Sequence, residues 1–220
     1  MTVDASTLQD RNDVPRACGP RTHCRFTGRS KIRSDRAYFV RAWLRSPLRT
    51  GAQLPSSSDL ARVMADAVDP ALPGAIVELG PGTGVVTAAL VARGVDPSRL
   101  VLVETNPVFC RLLQTRYGED RVVSHDAYAA PRLLRRLDIG PIAAVVSGLP
   151  LLTQPAWRRQ RLLLSCLRLG APDAAFVQFT YFYRSPIPVR PDVIATDVSP
   201  MVWRNLWPAR VWRYRLAAAS

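Results

Sequence analysis

A short apolar segment that ends in closely spaced glycines constrains this chain more than any other feature. Residues 75–79 read Ala-Ile-Val-Glu-Leu, and glycines follow at positions 80, 82 and 84. Such a segment is typical of a buried strand, and glycines after a strand permit turns in which a ligand approaches the backbone closely. Dinucleotide sites need Gly-x-Gly-x-x-Gly, but Val85 stands three residues after Gly82. The segment therefore indicates a βα unit built around a ligand other than a dinucleotide.

Strand patterns alternate with helix patterns along the following sequence. We predict strands at residues 75–79, 100–104, 121–124, 142–147 and 175–180, and helices at 60–68, 85–93, 107–117 and 157–169. This alternation predicts an α/β fold with a mostly parallel, Rossmann-like sheet and helices on both faces. Near the end, residues 202–204 and 211–215 alternate with period two. We expect them to pair as antiparallel strands with one face buried.

The positive charge is the strongest signal in the composition. Lysine and arginine number 30 against 17 acidic residues, which gives a formal charge of +13, and Lys31 is the only lysine. Such a surface favours a polyanionic partner, either nucleic acid or an anionic lipid surface, although arginine bias also follows from genome composition. The four cysteines form no metal-binding pattern with His23 and His125, so we expect free structural thiols and no metal. Short apolar runs and no apparent signal segment predict a cytoplasmic protein.

The sequence divides into three regions. Residues 1–35 are polar and lack hydrophobic periodicity, so we expect a disordered extension. Residues 36–58 contain a predicted amphipathic helix, from 36 to about 48, and a loop that faces the substrate or a membrane. On that helix, Phe39, Val40, Trp43 and Leu44 share one side, with Arg41 and Arg45 opposite. Docking on an anionic membrane and capping of the core both remain open. Residues 59–220 form the main domain.

Acidic residues stand at the ends of three successive predicted strands. Glu78 precedes the glycines, Glu104 ends the second strand, and Asp126 follows the third. With this loop the set is typical of a site for S-adenosyl-L-methionine. Glu78 would receive the cationic methionine portion through water, Glu104 would accept from the ribose hydroxyls, and Asp126 would bind the adenine amino group. Ordinary turn residues are the alternative, and three strand ends in a row argue against it.

Longer motifs give the chain a resemblance to the bacterial phospholipid N-methyltransferases, which convert phosphatidylethanolamine to phosphatidylcholine. The resemblance extends from about Tyr38 to Arg215. The motifs are residues 77–84 (Val-Glu-Leu-Gly-Pro-Gly-Thr-Gly), 103–107 (Val-Glu-Thr-Asn-Pro), 125–128 (His-Asp-Ala-Tyr), 147–152 (Ser-Gly-Leu-Pro-Leu-Leu), 178–181 (Gln-Phe-Thr-Tyr), 203–205 (Trp-Arg-Asn), 208–212 (Pro-Ala-Arg-Val-Trp) and an upstream Pro55-Ser56-Ser57. The chain departs from the family pattern at His125, at Phe182-Tyr183 and at Trp207.

The resemblance implies a seven-stranded class I methyltransferase fold with an antiparallel strand at the C-terminal end. It implies stepwise N-methylation of phosphatidylethanolamine by a peripheral protein at the inner face of the cell membrane. The cofactor set is then Glu78, Gly80, Gly82, Gly84, Glu104, Thr105, Asp126, Ala127 and Ser147. Tyr181 and Tyr38 are the predicted catalytic residues, because a hydroxyl and an aromatic face can stabilise the positive charge that spreads during transfer. Arg184 is the predicted partner of the lipid phosphate.

Two other functions are compatible with part of the sequence. An RNA adenine N-methyltransferase would share the charge and the cofactor loop. Such enzymes usually carry an Asn-x-Pro-Tyr-like motif after the fourth strand, where this chain reads Ser147-Gly148-Leu149-Pro150-Leu151. A scaffold protein that has kept the fold without activity is the third possibility. The intact Glu78, Glu104 and Asp126 argue against it.

Overall fold

The sheet of this protein has seven strands with helices between them. The computed structural model describes residues 57–137 and 139–217, so the predicted extension at 1–35 and the helix at 36–48 lie outside the described residues. The strands are β1 (Ala75–Leu79), β2 (Leu100–Glu104), β3 (Val122–Ser124), β4 (Ile142–Ser147), β5 (Gly170–Thr180), β6 (Ile194–Val198) and β7 (Arg210–Leu216). The helices are α1 (Ser58–Asp66), α2 (Val85–Ala92), α3 (Pro107–Tyr117), α4 (Ala130–Leu134) and α5 (Ala156–Leu167).

The strand order places β1 at the centre of the parallel part of the sheet. The order is β3-β2-β1-β4-β5-β7-β6, with β1 to β5 parallel and β7 antiparallel to both β5 and β6. Every residue of β1, β2 and β4 is buried. Helices cover both faces of these strands, which explains why they are apolar rather than alternating, except at Glu78, Glu104 and Ser147 near their carboxyl ends. The chain reverses direction across the sheet between β1 and β4, where ligands of such folds bind.

Two hydrophobic layers sandwich the sheet. One layer contains Leu60 of α1, Leu90 of α2 and Leu113 of α3. The other layer contains Leu134 of α4 and Leu163 of α5. Because β1 to β5 are parallel, their carboxyl ends all lie at one edge of the sheet. Each of α2, α3, α4 and α5 follows one of these strands, so each begins at that edge.

Local sequence signals account for the helix starts. The Ser57 hydroxyl accepts a hydrogen bond from the backbone N–H of Leu60 at 3.1 Å, which caps α1. The Asn106 side chain does the same for Val108 at 2.9 Å, with Pro107 at the first position of α3. Gly84 precedes α2 with a φ of +79°, a backbone conformation that favours glycine.

Most sequence predictions for the fold are confirmed. The seven-stranded, mostly parallel sheet is present, and β1, β2, β4 and α3 have the predicted bounds. The predicted pairing of residues 202–204 with 211–215 is wrong. Val202 forms only an isolated bridge with Ala209, and the antiparallel partners of β7 are β5 and β6. β6 was missed because only Ile194 of its residues is buried, so this edge strand has no apolar alternation.

The prediction of one buried face for β7 also fails. Val211 lies in the hydrophobic layer of α1 to α3, whereas Tyr214 lies in the layer of α4 and α5. A strand between two neighbours in a covered sheet contributes to both layers.

The remaining described features concern thiols and helix length. Cys110 and Cys166 are buried free thiols, as predicted, and Cys18 and Cys24 lie outside the described residues. Burial raises the pKa of Cys166 to about 12. Within residues 57–137 and 139–217, no helix has the length and apolar character needed to cross a membrane.

Candidate cofactor and acceptor site

The glycine loop leaves open space at one position. Gly82 has a φ of +56°, and a Cβ built on it would meet nothing within 4 Å. A Cβ on Gly80 would lie 3.0 Å from Leu149, and one on Gly84 would lie 2.9 Å from Leu113. Gly80 and Gly84, with φ values of +71° and +79°, have backbone conformations that favour glycine, and a side chain at either would press on a leucine of the protein. Gly82 is the position at which a ligand can approach the backbone.

The Glu104 carboxylate holds this loop against the end of β2. One of its oxygens, Oε2, accepts a hydrogen bond from the N–H of Gly82 at 3.0 Å. The other, Oε1, accepts from the N–H groups of Thr105 and Asn106 at 2.8 Å each. Glu104 is 7% exposed. Its side chain thus joins the loop after β1 to the start of α3, and one lone pair, on Oε2, remains for a ligand hydroxyl.

Glu78 is a buried carboxyl group beside the same loop. It is 2% exposed, and Thr87 of α2 donates a hydrogen bond to its Oε2 at 2.6 Å. Burial raises the pKa of Glu78 to about 7, the Thr87 hydrogen bond opposes this rise, and the negative charge of Glu104 adds to it. A cationic group next to Glu78 would relieve both unfavourable effects.

The loop after β4 packs directly on the glycine loop. Gly148 donates its N–H to the Leu79 carbonyl at 2.8 Å, and a Cβ on Gly148 would lie 2.7 Å from the Gly80 carbonyl oxygen. The buried Gln178 side chain donates to the Leu149 carbonyl at 3.1 Å, which ties this loop to β5. Gly148 and Gln178 both belong to the sequence motifs, but no role was predicted for either. Their positions, directly after β4 and within β5, were the sequence feature that could have indicated a role.

The other predicted cofactor residues lie along the same edge of the sheet. Ser147 is fully buried at the end of β4, Ala127 is buried after β3, and Thr105 is exposed after β2. Asp126 is exposed, and its carboxylate accepts from the N–H of Tyr128 at 2.9 Å. The structure thus places the predicted set on one edge, and the part each residue takes in binding stays a prediction.

The predicted acceptor residues are only partly within the described residues. Tyr181 directly follows β5, and its ring makes an edge-on contact with Phe179 at 5.4 Å between centroids. Burial raises the pKa of the Tyr181 hydroxyl, and a hydrogen bond with the Asn205 side chain offsets part of the rise. Asn205 also accepts from the N–H of Ser57 at 2.9 Å, so it joins the β6–β7 connection to the start of α1. Arg184 is exposed, and Tyr38 lies outside the described residues.

These groups fit the expected cofactor. Gly82 provides an open approach to backbone, and two buried carboxylates stand at the ends of neighbouring strands. Neither carboxylate takes part in the ion pairs found within residues 57–137 and 139–217. A ligand with a positive charge and hydroxyl groups complements this set. S-adenosyl-L-methionine has both.

Comparison with known proteins gives one similar sequence. It is an ornithine lipid N-methyltransferase of Singulisphaera acidiphila, 32% identical over 108 residues. The match covers 48% of this chain and 56% of that protein, so it spans little more than half of the relative's length. No protein-family profile matches the chain.

Solved structures share the fold at low sequence identity. An O-methyltransferase from Bacillus cereus in complex with SAH superposes with a TM-score of 0.54 at 14% identity, covering 83% of this chain and 90% of that one. A cofactor-bound protein from MTB superposes with a TM-score of 0.55 at 18% identity, covering 80% of this chain and 95% of that one. An rRNA methylase from Streptococcus thermophilus gives 0.51 at 14% identity, with 71% and 94% covered. The fold is therefore the Rossmann-like fold of class I methyltransferases, as predicted.

The raised pKa of Glu78 predicts a pH-dependent loss of stability in the free protein. The folded state favours the neutral form of the Glu78 carboxyl. The resulting contribution to the free energy of unfolding is complete below the ordinary pKa of 4.5 and is lost as the pH rises through about 7. At about 1.4 kcal/mol per pKa unit, the loss from this group is about 3 kcal/mol. In Glu78→Gln this loss should be absent, so the variant becomes more stable relative to wild type as the pH rises from 4.5 to 7.

Urea unfolding at several pH values measures this difference. Glu119→Gln is the matched control, because Glu119 is exposed and lies just before β3, at the edge of the sheet opposite the site. Its free energy of unfolding should follow that of wild type. Parallel profiles for wild type and Glu78→Gln would contradict the assignment of a buried, partly protonated Glu78.

Proposed function

We propose that this chain is an S-adenosyl-L-methionine-dependent N-methyltransferase that acts on the amine head group of a membrane lipid. The observation that carries the proposal is the pair of buried carboxylates, Glu78 and Glu104, beside the open backbone of Gly82. The lipid class is supported by the similar ornithine lipid N-methyltransferase and by the motifs shared with phospholipid N-methyltransferases.

The cofactor is held at the carboxyl ends of β1, β2 and β3. When bound, S-adenosyl-L-methionine supplies an electrophilic methyl group on a positively charged sulfonium. Glu78 balances the positive charge of the methionine portion, and Glu104 accepts from a ribose hydroxyl through Oε2 while it holds the loop. Asp126 accepts from the adenine amino group. Binding a cation favours the ionised form of Glu78, so the site exchanges a partly protonated carboxyl for an ion pair.

The acceptor amine is placed one strand further along the sheet, at the ends of β4 and β5. Tyr181 stands there, held by Phe179 and Asn205. Its ring face and hydroxyl oxygen stabilise the positive charge that reaches the amine nitrogen during transfer. Because alignment and charge stabilisation account for most of such a reaction, rigid placement of this side chain matters more than its acidity.

Phosphatidylethanolamine is the acceptor that the family motifs favour, and ornithine lipid is the acceptor of the similar sequence. Both present a primary amine next to a hydrophobic body. Either lipid leaves a bilayer only at high cost, so the protein works as a peripheral protein at the inner face of the cell membrane. The predicted helix at 36–48, with Tyr38, belongs to this surface in the proposal, and Arg184 pairs with the head-group phosphate if the acceptor is phosphatidylethanolamine.

Gly82→Val should abolish cofactor binding while the protein stays folded. A branched side chain at Gly82 would fill the open space and strain a backbone with a φ of +56°. Gly140→Val is the matched control, since Gly140 has a φ of +67° and equally open surroundings but lies before β4, at the opposite edge of the sheet. Calorimetry with S-adenosylhomocysteine should show binding to the control alone. Near-normal affinity of Gly82→Val would place the cofactor elsewhere.

Tyr181→Phe should lower turnover more than it raises the apparent Michaelis constant for lipid. The lost hydroxyl acts mainly as charge develops on the amine, so its removal affects the transition state. Tyr183→Phe is the control: it removes a hydroxyl two residues further along the chain. The Tyr183 side chain is 70% exposed, so this variant should behave as wild type. Mixed-micelle kinetics measure both variants. Equal turnover in the two would make Tyr181 a wall of the pocket only.

The acceptor itself is identified by incubation with methyl-labelled cofactor. We expect label in phosphatidylethanolamine or ornithine lipid presented in micelles, and thin-layer chromatography separates the mono-, di- and trimethylated products. Total RNA is the parallel sample, and Gly82→Val is the inactive control. Label in RNA alone would replace the proposed function with RNA methylation. Binding of cofactor without label in either fraction would favour a scaffold.

A further inference from the structure

A groove lined by arginines lies between α4 and α5, outside the cofactor loop. Its volume is about 390 Å³. Arg132 and Arg135 contribute from the α4 side, and Trp157, Arg158 and Arg161 contribute from α5. The proposed function uses none of these five residues, but it assigns another residue of the lining, Asp126, to the adenine of the cofactor.

The spacing of residues on the two helices brings these side chains together. In α5, Trp157, Arg161 and Ser165 recur every four residues and so share one face, while Leu163 and Cys166 point into the core. Arg159 lies off this face and donates to the Pro186 carbonyl instead. The groove is thus the polar face of α5 turned toward Arg132 and Arg135.

The groove arginines lack acidic partners among the described residues. None of the ion pairs within residues 57–137 and 139–217 includes Arg132, Arg135, Arg158 or Arg161. Arg158 stacks on the Tyr128 ring, 4.6 Å from its centroid, and donates to Gln154 at 2.8 Å. Asp126 is the acidic residue of the lining, and the Tyr128 hydroxyl is buried without a described partner. A guanidinium group without an acidic partner can donate two parallel hydrogen bonds to the oxygens of one phosphate.

Exposed apolar side chains at the rim of the groove and along the carboxyl edge of the sheet indicate which phosphate compound the groove receives. Trp157 is 61% exposed at its rim, and Leu152 is exposed in the loop just before α5. Phe182 after β5 and Leu206 before β7 are exposed on the same edge of the sheet, because Thr180 pairs with Arg210. Exposed aliphatic and aromatic side chains beside phosphate-binding groups match the boundary between lipid head groups and acyl chains, whereas nucleic acid offers no partner for aliphatic tips.

We infer that the groove between α4 and α5 binds the phosphate head group of an anionic phospholipid, separate from the lipid that is methylated. Trp157 and Leu152 enter the acyl region beside it, and the arginines neutralise the phosphate. This contact orients the carboxyl edge of the sheet, with Tyr181 on it, toward the membrane. The inference does not depend on methyl transfer.

Direct binding of a monomeric short-chain lipid tests the groove. The full chain is titrated with dihexanoyl phosphatidylglycerol below its micelle concentration, and calorimetry gives the affinity. Arg132→Gln with Arg161→Gln should weaken binding roughly tenfold or more, because two charged donors are lost. Arg111→Gln with Arg168→Gln is the matched control, since both of these arginines are exposed outside the groove lining. The control should bind within about twofold of wild type, as expected for distant surface charges.

Three further samples decide the chemistry. Dihexanoyl phosphatidylcholine should bind weakly to every variant, and inorganic phosphate should bind less tightly than the phosphatidylglycerol. Equal losses in the groove variant and the control would overturn the inference, as would a groove-dependent preference for an RNA oligonucleotide over the lipid. Arg135→Gln alone, with an expected loss of severalfold, replaces the double variant if that variant does not fold.

Discussion

The hydrogen bonds to the Glu104 carboxylate hold together the part of the molecule on which its chemistry depends. This one side chain accepts from Gly82 in the loop after β1 and from two N–H groups at the start of α3. It therefore sets the distance between the first two βα units at the carboxyl edge of the sheet. Close packing of Gly148 on Gly80 likewise fixes the end of β4 against the glycine loop. The Glu104 hydrogen bonds and this close backbone contact thus fix the cofactor region before a ligand binds.

A buried carboxyl next to this arrangement costs stability in the free protein. The pKa of Glu78 is raised to about 7 by burial and by the nearby Glu104 charge. Sites that bind cations commonly keep such a group, because the ligand restores the charge balance that folding disturbs. The unfavourable environment of Glu78 is thus compatible with its proposed role, and Thr87 limits the cost while the site is free of ligand.

Charge and apolar surface meet at the same edge of the sheet. The parallel strands all end there, so the cofactor loop and Tyr181 lie along it, and the arginine groove begins beside it at Asp126 and Trp157. A protein that modifies a lipid within its bilayer needs its reacting groups and its membrane contacts on one face. Trp157 and Phe182 lie on that edge, and their exposed side chains do not pack in the core.

The sequence by itself determined the layered α/β fold, four element bounds and the set of candidate cofactor residues. Those features depend on local signals: apolar runs, glycine spacing and capping residues act within a few positions of the chain. Only the tertiary structure decided that β6 pairs with β7, that Gly82 alone of the three glycines faces open space, and that Gly148 and Asn205 support the site. It also decided which arginines converge. Each of these depends on contacts between distant segments, which local patterns do not record. The exposed edge strand β6 has no apolar alternation, and the spacing of residues within α5 does not show that they face the arginines of α4.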